Sequence, residues 1–201
     1  MENVVVSIFH IESEVFQAFS ELKQFVQTEN TKLAQASIVK AENGVVNVKD
    51  SFDLMNSLGD DYFEGGLIGS LIGILGGPLG VLFGFATGGA IGASVGSDKE
   101  LINSALIATV SKKLTNGEVA IIALVQENDE SVLNAIFEKY QVDIARWDVA
   151  TVAAEIESAL KIQEDLEHQA KARLIADKKE ARREKFDKLK ASIKEKFSKK
   201  N

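Results

Sequence analysis

A stretch of 33 residues without a charged side chain, residues 65–97, constrains this 201-residue chain more than any other feature. Its glycines recur at every fourth position in two overlapping series, and that step keeps them on one slowly drifting face of a helix. Large apolar residues between Leu67 and Phe85 occupy the opposite face. The glycines predicted to let helices pack closely are Gly65, Gly69, Gly73, Gly76, Gly80, Gly84, Gly88, Gly92 and Gly96.

The glycine pattern predicts a helical hairpin. Each glycine in a helix interior costs about 1 kcal/mol relative to alanine, so close backbone packing or lipid has to offset that cost. Pro78 disfavours helix at Gly77 and suits the first turn of a new helix. We therefore expect two antiparallel helices, 65–76 and 78–96. The first would be about 18 Å long, too short to cross a hydrocarbon core of about 30 Å alone.

Three environments fit this hairpin. It is inserted in a membrane, or it forms a glycine-zipper interface between subunits of a soluble assembly, or it packs on the protein's own sheet. Its apolar face is too large for exposure on a free soluble monomer. The pattern therefore predicts that the apolar face of the hairpin is covered. It does not distinguish between lipid, a second subunit and the rest of the chain as the cover.

The residues on either side of the hairpin predict one α+β domain, residues 1–64 and 98–149, with residues 65–97 as an insertion. Ser13 is a candidate N-cap, Asn43-Gly44 is a type I′ hairpin signal, and Asn116-Gly117 is expected to end a helix. The predicted architecture is a ferredoxin-like antiparallel sheet with helices on one face. The strands are expected at 3–9, 33–42, 45–49, 119–125 and 142–149, and the main helices at 12–27 and 101–114.

Residues 150–201 contain neither glycine nor proline and predict one long, charged, amphipathic helix. Residues 1–149 carry 9 basic and 20 acidic side chains, whereas residues 150–201 carry 14 and 10. A basic helix with aromatic residues on its apolar face is typical of a membrane-surface helix. The alternative is a solvated helix that docks its apolar residues on a neighbouring subunit. The residues of the candidate membrane surface are Phe186, Leu189, Ile193 and Phe197, with Lys185, Lys190 and Lys194 beside them.

The composition offers little material for catalysis. The chain has no cysteine and two histidines, which excludes a thiol nucleophile and any cysteine-based metal site. His10 lies near Glu12 and Glu14, a weak candidate for a metal site. The net charge of −7 argues against nucleic-acid binding. We therefore expect no enzyme activity, no catalytic or metal-binding residues and no cofactor.

The run from Gly73 to Gly84 resembles a bacterial family of predicted membrane proteins, known as domain of unknown function twelve sixty-nine. The N-terminal strand and helix before this run and the α/β stretch after it extend the resemblance over residues 1–150. The resemblance implies a membrane-associated or stress-related bacterial protein with no established activity. It supplies no catalytic residues, and residues beyond 150 depart from the family pattern.

Two functional hypotheses follow. The first is a non-enzymatic, membrane-associated protein that assembles with itself through the glycine hairpin and contacts membrane lipid through its C-terminal helix. The second is a soluble oligomeric binding module whose glycine hairpin forms the subunit interface. Because no secretory signal is apparent at the N-terminus, we expect the protein on the cytoplasmic side of the membrane, or in the cytoplasm as an oligomer. Its expected partners are itself and lipid, and not nucleic acid.

Overall fold

The computed structural model describes residues 1–43, 45–54, 66–77, 80 and 105–198. Two compact units are present, Met1–Leu160 and Lys161–Asn201. The elements in chain order are β1 (Glu2–Phe9), α1 (Glu12–Lys23), β2 (Thr31–Glu42), β3 (Val45–Asp53), α2 (Leu67–Gly76), α3 (Leu106–Lys113), β4 (Val119–Glu127), α4 (Ser131–Phe137), β5 (Val142–Asp148) and α5 (Val149–Ser198).

The first unit is built on a five-stranded antiparallel sheet with the strand order β3-β2-β4-β1-β5. Strand β4 lies between β1 and β2, and β1 lies between β4 and β5. The units β1-α1-β2 and β4-α4-β5 are therefore two interlocked split β-α-β units, which is the ferredoxin-like arrangement. Strand β3 extends this sheet as the second arm of a hairpin with β2. The α+β, ferredoxin-like prediction is confirmed.

Helices cover both faces of the sheet, so the expectation of helices on one face is wrong. Helices α1 and α4 bury Phe19 and Phe137 on one side. On the other side, α2, α3 and the start of α5 bury Leu71, Leu106 and Val152. The physical reason lies in the central strands, whose continuous apolar runs present buried side chains to both faces.

Three local predictions are tested by the backbone. Asn43 has a φ of 56°, as the predicted type I′ turn requires. Helix α1 begins at Glu12 after Ile11 and has no side-chain cap, so the prediction of Ser13 as N-cap is wrong. Gly117 has a φ of 97° but follows the end of α3 by several residues. It serves the turn into β4, where its N–H donates to the carbonyl of Ala41 at 2.7 Å.

Helix α5 begins at Val149 and is helical through Ser198. Its first twelve residues belong to the first compact unit and the rest to the second. In the second unit, Lys171 pairs with Glu167 one helical turn away at 3.7 Å. The prediction of one long C-terminal helix agrees with this backbone.

Candidate functional site

Helix α2 has two unlike faces. Its large apolar side chains are buried against the sheet, in contact with the core that includes Val39 and Val46. Gly73, on the opposite face, is exposed. This orientation matches the alternative in which the first arm packs on the protein's own sheet. The buried side chains of this helix are Ile68, Leu71, Ile72, Ile74 and Leu75.

The glycines of this region have different surroundings. A methyl group added at Gly73 would meet no atom within 4 Å. At Gly76 it would lie 2.7 Å from the backbone oxygen of Val46, and at Gly80 it would overlap the backbone oxygen of Leu75. Gly76 and Gly80 therefore allow close approaches within the chain, while Gly73 leaves an open surface.

The remaining glycine predictions fall on two groups of residues. Gly69 lies in α2 and is partly exposed on the same side as Gly73. The other predicted packing positions lie outside the described residues, and so does the second arm of the hairpin apart from Gly80. These positions are Gly65, Gly84, Gly88, Gly92 and Gly96. Within the part of the chain that is described, no helix is both long enough and apolar enough to cross a bilayer.

The membrane-surface prediction falls on the last turns of α5. The backbone there is helical, and steps of three, four and four residues place the predicted apolar residues on one helix face. Their side chains and those of the neighbouring lysines lie outside what is described. The residues concerned are Phe186, Leu189, Ile193 and Phe197, with Lys185, Lys190 and Lys194.

A carboxylate on α5 caps helix α3, and the sequence analysis did not predict it. Glu155 accepts the backbone N–H of Leu106 at 2.9 Å and that of Ile107 at 2.8 Å. Burial raises the pKa of the Glu155 carboxyl above its ordinary value, although the two N–H donors act in the opposite direction. The spacing of Glu155 in the sequence could have indicated that it faces the core. This residue lies between Val152 and Ile156, on the apolar stripe of α5.

The main buried ion pair joins three strands and α4. Arg146 Nε donates to Glu127 Oε1 at 2.8 Å, and an Arg146 terminal nitrogen donates to Asn134 Oδ1 at 2.7 Å. Asn3 donates to the same Glu127 oxygen at 3.1 Å. Because these hydrogen bonds satisfy both charged groups, the cluster supports the sheet rather than presenting a reactive side chain.

The weak metal-site candidate at His10 does not assemble. Glu12 pairs with Lys40 at 2.7 Å, and Glu14 accepts the backbone N–H of Gln141. The carboxylate nearest His10 belongs instead to Asp143, at 3.9 Å. Among the residues that the structure describes, no group of three or more histidine, cysteine or acidic side chains could hold a metal ion.

A shallow cleft lies between α3 and the edge strand β5. Thr109 and Lys113 of α3 face Asp143 and Trp147 of β5 across it. Its free volume of about 10 Å³ is close to the smallest that holds one water molecule. Trp147 is partly buried and packs against the core on this side of the sheet.

The comparison with protein families assigns the chain. The family model described as "Protein of unknown function (DUF1269)" matches residues 63–167, just over half of the sequence. The chain belongs to this family. No curated protein and no solved structure matches it.

The DUF1269 match covers a different range from the resemblance expected over residues 1–150. It leaves out β1, β2 and β3, and it runs from the start of the glycine segment past the base of α5. The DUF1269 segment therefore contains both α3 and the Glu155 carboxylate that caps it.

Proposed function

We propose that this DUF1269 protein is a non-enzymatic, self-assembling protein that binds the surface of anionic membranes. Its α+β body carries two contact elements, the glycine-rich segment and the C-terminal part of α5. The glycine-rich segment joins copies of the chain, and the basic helix contacts lipid. A role in a stress response is part of the same proposal and rests on the family resemblance.

The observation that carries the membrane part is the unbroken helix through Ser198. From Lys171 to the end of the chain there are 13 basic and 5 acidic side chains. A helical backbone gathers the four apolar residues from Phe186 to Phe197 on one face and leaves lysines beside them. Apolar burial and attraction to anionic lipid act together on such a helix.

The orientation of α2 supports the self-assembly part. Its apolar face is already covered by the protein's own sheet, so this face is not available to lipid or to a second copy. The small residues Gly69 and Gly73 lie on the other side, where they allow a second backbone to approach closely. A helix from another copy, or the second arm of the hairpin, fits this surface.

The second candidate function is a soluble oligomeric binding module. The packing of α2 on the sheet favours this alternative, because the large apolar side chains of the helix are buried without lipid. In this alternative the body binds a small molecule or peptide, the glycine hairpin forms the subunit interface, and α5 packs against a neighbouring subunit.

Detergent-free fractionation of the full-length chain separates the two functions. The membrane proposal predicts that the chain sediments with membranes and is released by high salt, because part of its binding is electrostatic. The alternative predicts a defined oligomer in the high-speed supernatant that phosphatidylglycerol vesicles fail to pull down. That second result would overturn the membrane proposal.

A further inference from the structure

Helix α3 starts without a cap from its own segment. Ala105 precedes it and makes no side-chain hydrogen bond to the first turn. The first N–H groups of any helix have no acceptor within the helix. Here the N–H groups of Leu106 and Ile107 donate to different oxygens of one carboxylate, that of Glu155 on α5.

The capping carboxylate lies inside an apolar contact. Val152, Ile156 and Ala159 of α5 are buried in the same core as Leu106 and Ile107 of α3. A half-buried carboxylate is unfavourable unless it keeps its hydrogen bonds. If the first turn of α3 moved away, Glu155 would lose both donors, and the base of α5 would lose Leu106 and Ile107 from the core that they share.

The contact between Glu155 and α3 joins two segments that lie far apart in the sequence. Residue 105 lies eight residues after the end of the glycine-rich segment, residues 65–97, and Glu155 lies in the second turn of the long helix. We propose that Glu155 is a latch that couples the start of α3 to the base of α5. The coupling deepens the proposed function and rests on it, because α3 follows the segment assigned to assembly in the sequence and α5 carries the segment assigned to lipid contact.

Amide hydrogen exchange on the full-length chain in solution tests the latch. In Glu155→Ala we expect exchange to speed up by about tenfold at Leu106 and Ile107 and also at residues 153–159, relative to the central strand β4. Alanine is the better helix former, so faster exchange in α5 would report lost docking rather than weaker helix propensity. Glu164→Ala, an exposed glutamate on the same helix, should change neither segment.

Faster exchange at α3 alone would show that Glu155 is only a helix cap and would overturn the latch. No change at either segment would overturn it as well. Glu155→Gln keeps the shape of the side chain and one acceptor oxygen, so it should give an intermediate acceleration at both segments. This variant decides the question if the alanine variant fails to fold.

Vesicles separate the latch from the proposed function. Adding phosphatidylglycerol-rich vesicles to the wild type should change amide exchange both at the start of α3 and at residues 153–159 of α5. In Glu155→Ala the vesicles should change exchange in at most one of these two segments. If both segments of Glu155→Ala still respond together, the latch is wrong. If the wild type ignores the vesicles but passes the solution test, the membrane proposal fails and the latch stands.

Discussion

Gly73 and Gly76 lie three residues apart on α2 and have different surroundings. Alanine at these two positions should therefore change the free energy of unfolding in opposite directions. Gly76→Ala places a methyl group 2.7 Å from the backbone oxygen of Val46, so we expect it to lower the free energy of unfolding by about 1–3 kcal/mol. Gly73→Ala fills open space and should raise that free energy by up to about 1 kcal/mol. Chemical denaturation at low chain concentration measures both.

The low concentration matters because any assembly through Gly73 would add its own stabilisation. An unchanged stability in Gly76→Ala would contradict the packing of α2 on β3. A loss at Gly73 equal to that at Gly76 would contradict the open surface on the other face of the helix.

The phenol of Tyr140 should lose its proton at an unusually high pH. Its burial, and then its hydrogen bond to Glu21 at 2.7 Å, raise the pKa of the phenol to about 12. Between pH 10 and about 12 the folded chain keeps a proton that the unfolded chain has released, so the free energy of unfolding should fall as the pH rises. An ultraviolet absorbance titration of wild type and Tyr140→Phe assigns this step, since Tyr62 is the other tyrosine.

Glu21→Gln is the matched variant for this titration. It removes the negative charge beside the phenol but leaves the burial, so the Tyr140 midpoint should move part of the way towards 10, its ordinary value. A wild-type midpoint already at 10 would contradict the partly buried, hydrogen-bonded position of the phenol.

At the scale of elements, the long helix combines a core segment with a segment that belongs to the second compact unit. Ile156 is 7% exposed in the core, whereas Ile162, less than two turns later, is 41% exposed. Ile156→Ala should therefore lower the free energy of unfolding by about 2–4 kcal/mol. Ile162→Ala should change it by less than about 0.5 kcal/mol, and thermal or chemical unfolding would show the difference. Equal effects would contradict the packing of the α5 base.

The sheet could be predicted because its signals are local. Apolar runs such as Val119–Val125 and the Asn43-Gly44 turn appear directly in the sequence, and the strands formed there. The end of β3 was missed because Lys49 and Asp50 interrupt the apolar alternation. The strand continues to Asp53 across an irregularity in its pairing with β2, and Phe52 then packs against Phe19.

The contacts that join distant segments could not be predicted in this way. Glu155 caps a helix that begins 49 residues earlier, and nothing in its local sequence shows which helix end it will meet. The partner of the apolar face of α2 could not be predicted either. The glycine and apolar faces were evident from spacing, but whether the apolar face meets lipid, a second subunit or the protein's own sheet depends on long-range packing.

At the scale of the whole molecule, assembly through the glycine-rich segment predicts a specific sensitivity. Gly84→Leu or Gly88→Leu should reduce the size of the oligomer, because a large side chain would separate two closely packed backbones. Leu82→Ala, on the opposite face of the predicted helix, should have a smaller effect. Light scattering measures the size, and leucine variants that keep the wild-type size would contradict the zipper.

Vesicle flotation of the full-length chain tests the membrane proposal most directly. Each large apolar side chain buried at the surface contributes about 2 kcal/mol, and each basic residue near anionic lipid about 1 kcal/mol. Phe186→Ser with Phe197→Ser should therefore weaken binding to phosphatidylglycerol-rich vesicles by more than about tenfold. Ala181→Ser with Ala191→Ser, two equivalent changes away from the apolar row, should leave binding nearly unchanged.

The proposal predicts that the wild-type chain floats with these vesicles at low salt, that added salt reduces the bound fraction, and that the double phenylalanine variant is released first. A wild-type chain that remains unbound at low salt, or that binds as well with both phenylalanines replaced, would contradict it.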